Sequence, residues 1–378
     1  MRPKFLLLAL LVLPSIAAEA QHHFRVLHAF GSGNDGAGVW DSVTLDKSGN
    51  VYGTTFAGGV HKGGTVFQLT PMPDGRWKET TLHSFPSSTD DGAGPYGGLV
   101  FDVEGNLYGT TQSFGKYDGG VAFELKVGRR GWVESVIHNF GGSGDPTCCP
   151  WGNLIVDQRG ELYGTSYSAF ELLHGPKGWT EKILHEFTGT NGDGLGPQAG
   201  PIRDAAGNLY GTTAMGGGGP WCAPDGCGVV WELQPSPSDN PAAPTAWTER
   251  ILYRFGFSRT DGDTPALGQL AMDREGNLYG AAGGGKYKAG IVFKLTPASS
   301  HLHLDRRVAR DDSLPLYGRC GREFPRRRRN AGRRWQPIRY NDCGRYRQRR
   351  GLQIVSGDPW RLEIYSAAYL QWLRRLSA

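Results

Sequence analysis

The sequence predicts an all-β chain, a β-propeller of four-stranded blades, with a β-solenoid as the alternative architecture. Three observations lead there. A short core is written five times: Gly49-Asn50-Val51-Tyr52-Gly53-Thr54-Thr55, Gly105-Asn106-Leu107-Tyr108-Gly109-Thr110-Thr111, Gly160-Glu161-Leu162-Tyr163-Gly164-Thr165-Ser166, Gly207-Asn208-Leu209-Tyr210-Gly211-Thr212-Thr213 and Gly276-Asn277-Leu278-Tyr279-Gly280-Ala281-Ala282. The segments around each copy alternate or are β-branched, and none has the period of a helix. The 378 residues include 58 glycines, which implies frequent turns. The core tyrosines stand 56, 55, 47 and 69 residues apart, close to the length of a kelch blade. Solenoid coils are usually shorter, which favours the propeller.

Each copy orders its segments in the same way. A first strand is expected at Leu27-His28-Ala29-Phe30, Leu82-His83-Ser84-Phe85, Ile137-His138-Asn139-Phe140, Leu184-His185-Glu186-Phe187 and Leu252-Tyr253-Arg254-Phe255. A glycine-rich, aspartate-bearing loop follows, then a second strand such as 98–102. Asp102-Val103-Glu104-Gly105-Asn106 reads as an Asx turn: the carboxylate caps backbone N–H groups and Gly105 supplies a positive φ. The core itself is the returning strand. A fourth strand reads Thr65-Val66-Phe67-Gln68-Leu69 and its counterparts, and a Trp-x-Glu segment at Trp77, Trp132, Trp179 and Trp247 leads into the next copy.

With Asp-x-x-Gly before it and Val-Phe-x-Leu after it, the repeated core resembles the GloVer tandem repeat of bacterial exported and surface proteins, over residues 24–297. The resemblance implies export and, often, a C-terminal sorting anchor. It implies no reaction. The sequence shows no recognisable anchor of that kind.

Residues 1–20 read as a secretory signal peptide, with Arg2 and Lys4 before an apolar run and small residues at Ala17, Ala18 and Ala20. The tandem-repeat region is 21–297, and no segment after the signal peptide is apolar enough to span a membrane. Residues 298–378 differ in kind. From His301 onward the chain carries nineteen Arg, no Lys and seven acidic residues, a net +12 that leaves −7 on the remainder. Shifted by one nucleotide, codons for Val308 to Pro325 permit WHETILYHFTGAADGNSP, those for Asn330 to Gly344 permit MLDAAGNLYGTTTAG, and those for Gly351 to Gln371 permit a further strand. The tail therefore reads as a further repeat translated out of frame, disordered as written, and the intact gene as encoding six or more blades. GC-rich codons out of frame yield Arg and Pro, so no nucleic-acid partner is inferred from the charge.

Candidate site residues divide by whether they repeat. The histidines His28, His83, His138 and His185 share one repeat position, as do the tyrosines and tryptophans, and are read as architectural packing between blades. Loops bearing Asp35, Asp90, Asp91, Asp193, Asp261 and Asp263 offer oxygen ligands for calcium, although Asp-Gly is also a common turn. No other cofactor is expected. Cys222 and Cys227 flank Ala-Pro-Asp-Gly in the longest insertion and predict a local disulfide in an exported protein. Cys148 and Cys149 have two readings, a vicinal bridge or pairing with that insertion. Trp151 and Trp221 lie where a copy departs from its siblings and are the candidate ligand-binding residues.

No local catalytic motif stands out, so whether the chain is an enzyme is left open. The expected function is an extracellular binding or surface-interaction module, secreted or at the cell surface, with a glycan or surface protein as partner. The alternatives are a polysaccharide hydrolase or lyase on the same scaffold, and a structural envelope component.

Overall fold

The computed structural model describes residues 24–298 except 32, 88–89, 237–245, 259 and 266–267, together with the backbone of 301–304. The segment read as a signal peptide and nearly all of the Arg-rich tail lie outside the described residues.

Among the described residues the fold is all-β apart from a single 3₁₀ turn at Pro220–Cys222. Its strands form a series of four-stranded antiparallel sheets. Sheet I contains Thr44–Leu45, Val51–Thr55, Lys62–Pro71 and Trp77–Pro86; sheet II contains Val100–Phe101, Leu107–Thr110, Val121–Gly128 and Gly131–Asn139. Sheet III contains Ile155–Val156, Leu162–Thr165, Ser168–Gly175 and Gly178–Glu186, and sheet IV Ile202–Arg203, Leu209–Thr212, Val229–Pro235 and Trp247–Arg254. Sheet V contains Ala271–Met272, Leu278–Gly284, Ile291–Ala298 and His301–Leu304, with Gly262–Asp263 added beside its second strand. Within each set of four, strands pair in chain order, so each four-stranded unit is a meander; Gly194–Leu195 and Met215–Gly216 form a separate two-stranded ribbon. Ladders run within sheets, and no ladder joins one four-stranded sheet to another among the described residues. A solenoid would instead continue its ladders from coil to coil.

The expected Asx turn is present. Asp102 accepts from the amides of Glu104 and Asn106, both at 2.9 Å, from Asn106 Nδ2 at 2.7 Å and from the Tyr108 hydroxyl at 3.1 Å, while Gly105 sits at φ 89°. Asp46, Asp204 and Asp273 repeat this arrangement. The glycine of the core has a different cause. A Cβ on Gly109 would lie 2.5 Å from the Phe123 ring on the neighbouring strand, so the aromatic needs a bare backbone beneath it.

Sheets pack face to face. Tyr52, Val66 and Phe85 of sheet I form one apolar cluster with Leu107, Phe123 and Leu125 of sheet II, and equivalent clusters join II to III, III to IV and IV to V. Phe85 meets Phe123 at 5.1 Å, Phe140 meets Phe170 at 5.1 Å, and Phe187 meets Trp231 at 5.3 Å. The Trp of each following sheet lies over the preceding core tyrosine, at 6.2 Å for Tyr52 and Trp132 and 5.9 Å for Tyr108 and Trp179. The repeated tyrosines and tryptophans are thus packing groups between sheets, as the sequence implied.

At the first strands the sheets converge. Thr54 donates to the Gly97 carbonyl at 3.0 Å, and Asn153 of the turn entering sheet III donates to Ser42 of the turn entering sheet I at 3.2 Å. Contact between alternate sheets at this edge means that they fan out from their first strands.

Two expectations need correcting. Trp-x-Glu and Leu-His-x-Phe are one strand, Trp77–Pro86 in sheet I, so the segment taken to open each copy closes the preceding sheet. The strand expected over 98–102 pairs only through Val100–Phe101, because Gly97 and Gly98 are pressed against the turns of neighbouring sheets.

The two ends of the stack are unlike. Phe30 packs on Phe67 at 4.6 Å, in the place that Phe85 takes against Phe123, so residues 24–30 stand where the last strand of a preceding sheet would lie. At the other end Val292 is 48% exposed, whereas its counterparts Val66, Ala122, Ala169 and Val230 are fully buried.

Candidate functional site

In antiparallel meanders, the turn entering the first strand and the turn between the second and third strands lie at the same edge of the sheet. Trp40, Tyr96 and Trp151 immediately precede the first strands of sheets I, II and III, and Trp221 lies between the second and third strands of sheet IV. All four therefore belong to one rim.

On that rim three rings form a row. Trp40 and Tyr96 are stacked with centroids 5.6 Å apart and planes 17° from parallel, and Tyr96 and Trp151 are 6.0 Å apart at 31°. Phe56 closes one side at 6.2 Å from Trp40 and 6.1 Å from Tyr96. The three row residues are half-buried, and the Trp40 indole N–H has no protein acceptor. Sequence reasoning found Trp151. It missed Trp40 and Tyr96, although all three occupy one repeat position, where sheet IV has Gln198.

Polar groups adjoin the row. Asp41, next to Trp40, accepts from Ser42 and lies against Gly98 and Asn153; burial pushes its carboxyl up against the opposing pull of those hydrogen bonds. Asp41 and Asn153 stand where sheet II has Gly97 and Gly98, which makes these groups particular to their sheets.

Trp221 is 53% exposed on the 3₁₀ turn of the insertion. Cys222 and Cys227 are bonded, with Cα atoms 5.2 Å apart, and fasten that insertion. Cys148 and Cys149 are free thiols with sulfurs 2.7 Å apart and are not paired with the insertion. Their contact brings the Cys148 thiol down to about 7.

The aspartates expected to bind calcium separate. Asp90 is exposed, and Asp263 lies beside Gly283 and Gly284 with its carboxyl pushed up by burial. Asp35, Asp91, Asp193 and Asp261 share a structural position with Asp145, which lacks the Asp-Gly signature and escaped notice. In each case a carboxylate bonds the repeated His or its Tyr253 counterpart, a backbone amide, or both. His28 and Asp35 are 3.0 Å apart, and Tyr253 donates to Asp261 at 2.8 Å.

In three places the Glu of Trp-x-Glu joins from the following sheet. His83, Asp91 and Glu134 bring one ligand atom each to within 4.8 Å of one another, as do His138, Asp145 and Glu181, and His185, Asp193 and Glu249. Each group includes an imidazole, unlike the all-oxygen set read from the loops. The glutamates escaped sequence reasoning because their partners lie a whole repeat upstream.

The described residues define an all-β repeat protein of four-stranded antiparallel sheets. Residues 16–176 match the Gloeobacter/Verrucomicrobia repeat family, the family that the repeated core resembles. No curated protein matches the chain. Among solved structures, a putative oxidoreductase (glucose dehydrogenase) from Thermus thermophilus is 15% identical, with 72% of this chain and 84% of that chain covered at a TM-score of 0.40. An exo-1,5-alpha-L-arabinanase from a bovine ruminal metagenomic library is 11% identical, over 73% of this chain and 100% of that one, at 0.38. The alpha-L-arabinanase of Cellvibrio cellulosa, complexed with arabinohexaose, is also 11% identical, over 72% and 96%, at 0.38. None of the three bears on what this chain does. Among the described residues no helix is long and apolar enough to cross a membrane.

Proposed function

We propose that the chain is an exported β-propeller whose sheets are its blades, and that it binds an extracellular glycan at the rim bearing Trp40, Tyr96 and Trp151. The row of aromatic rings carries this reading. Sugar rings present apolar C–H faces that lie on aromatic surfaces, while a few convergent polar groups fix their orientation. Asp41, Ser42 and Asn153 are such groups. Export rests on the signal peptide read in residues 1–20 and is compatible with the Cys222–Cys227 bond. Binding is favoured over hydrolysis because a glycosidase ordinarily needs two facing carboxyls, whereas the groups around Asp41 are those of Ser42, Gly98 and Asn153.

The test is affinity electrophoresis of the chain through a panel of soluble polysaccharides, with reducing-sugar release measured in parallel. Retardation by at least one glycan without sugar release is expected, and Trp151→Ala should weaken it at least tenfold while leaving the melting temperature nearly unchanged. Sugar release would favour the enzyme alternative. Equal retardation of the Trp151→Ala variant would remove the row from the site.

A further inference from the structure

We propose that the His-Asp-Glu groups between successive sheets are binding sites for a divalent transition-metal ion of the zinc class, each ion tying one sheet to the next. The inference is independent of the aromatic row. It begins with distances. His83 Nε2 lies 3.1 Å from Asp91 Oδ2, His138 Nε2 lies 3.1 Å from Glu181 Oε2, and His185 Nε2 lies 3.4 Å from Asp193 Oδ1 and 3.6 Å from Glu249 Oε1. Charge-assisted hydrogen bonds are shorter, about 2.7–2.9 Å. Ligands about 2.0 Å from a tetrahedral zinc ion are separated by about 3.3 Å, close to these four distances, and the remaining ligand atoms of each group lie within 4.8 Å.

The second observation is unmet polar capacity. No hydrogen-bond donor reaches Oε1 of Glu134, Glu181 or Glu249, all buried, and His138 Nε2 is likewise unsatisfied despite its closeness to Glu181. The Glu181 side chain is only 10% exposed. In each group two carboxylates and an imidazole bring their ligand atoms within 4.8 Å of one another, and a dication placed among them converts the repulsion of the carboxylates into attraction. One imidazole nitrogen and two carboxylates, with a fourth position left to water, suit zinc; calcium takes six to eight oxygens. The first His position lacks this geometry, since Glu79 accepts from Thr81 instead.

The full chain, stripped with a chelator and dialysed, is titrated with Zn²⁺ by calorimetry and with Co²⁺ by visible absorption. Uptake of three equivalents is expected, one for each group, with a rise of several degrees in melting temperature. Glu134→Gln, Glu181→Gln and Glu249→Gln together keep the side-chain shapes and remove the facing charges, so the triple variant should fold while uptake and the thermal shift both disappear. Each single variant should lose one equivalent. Absence of saturable uptake by the parent chain, or the same uptake and shift in the triple variant, overturns the proposal.

Discussion

The Asp-x-x-Gly-Asn-x-Tyr motif works through one carboxylate that serves two backbone amides, one side-chain amide and one phenol. Burial pushes these carboxyls upward, yet the donors together hold Asp46 and Asp102 below the usual carboxylate range. At Asp273 the Asn277 side chain leads the donors that bring the carboxyl down to about 2. A depressed folded-state value gives stability that is fully present above the unfolded value near 3.8 and is lost as pH falls through the folded ones. Acid unfolding monitored by circular dichroism should therefore begin below pH 4, and Asp102→Asn should flatten the transition. Gly109 gives a second prediction. Gly109→Ala puts a methyl group into the Phe123 ring and should cost about 1–3 kcal/mol in urea denaturation, the range for an overpacked core.

The fourth strands of sheets I to IV repeat one irregularity. The ladder slips between Val66 and Phe67, Ala122 and Phe123, Ala169 and Phe170, and Val230 and Trp231, which leaves Leu82, Ile137, Leu184 and Leu252 as bulged residues before each His or Tyr253. A bulge re-aims the side chains beside it, and here these are the groups that meet the loop aspartates. The bulge also explains what the sequence hid. It interrupts the alternation between Trp-x-Glu and Leu-His-x-Phe, so one strand reads as two, whereas the hairpin at Asp102 was legible because its partners lie within six residues. The aromatic row was half legible: Trp151 was picked out, whereas Trp40 and Tyr96 at the same repeat position were not, because the stacking on Tyr96 joins residues 55 apart in the chain. Packing between these elements is testable at Phe140, which is fully buried between sheets II and III. Phe140→Ala should lower unfolding free energy by about 3–5 kcal/mol.

Across the whole molecule the sheets share one mode of contact, and sheet V lacks it on its outer face, where Val292 is exposed. The reading of the tail as a further repeat supplies a cover for that face. A chain restored to the repeat frame after residue 297 should melt higher and more cooperatively than the chain as written, and Val292→Asp should destabilise the restored chain far more than the present one. Calorimetry of both chains decides, and equal melting temperatures would detach the tail from the fold.

The offset between repeat and sheet, visible where residues 24–30 occupy a last-strand place, reaches into heredity. Recombination between equivalent codons of adjacent repeats, such as those of Tyr52 and Tyr108, would remove one period and rejoin the halves of two sheets into a complete one. Copy number can then change in a single genetic event without leaving a broken ladder. An exchange between the codons of Trp40 and Trp151 would shorten the aromatic row while sparing the scaffold.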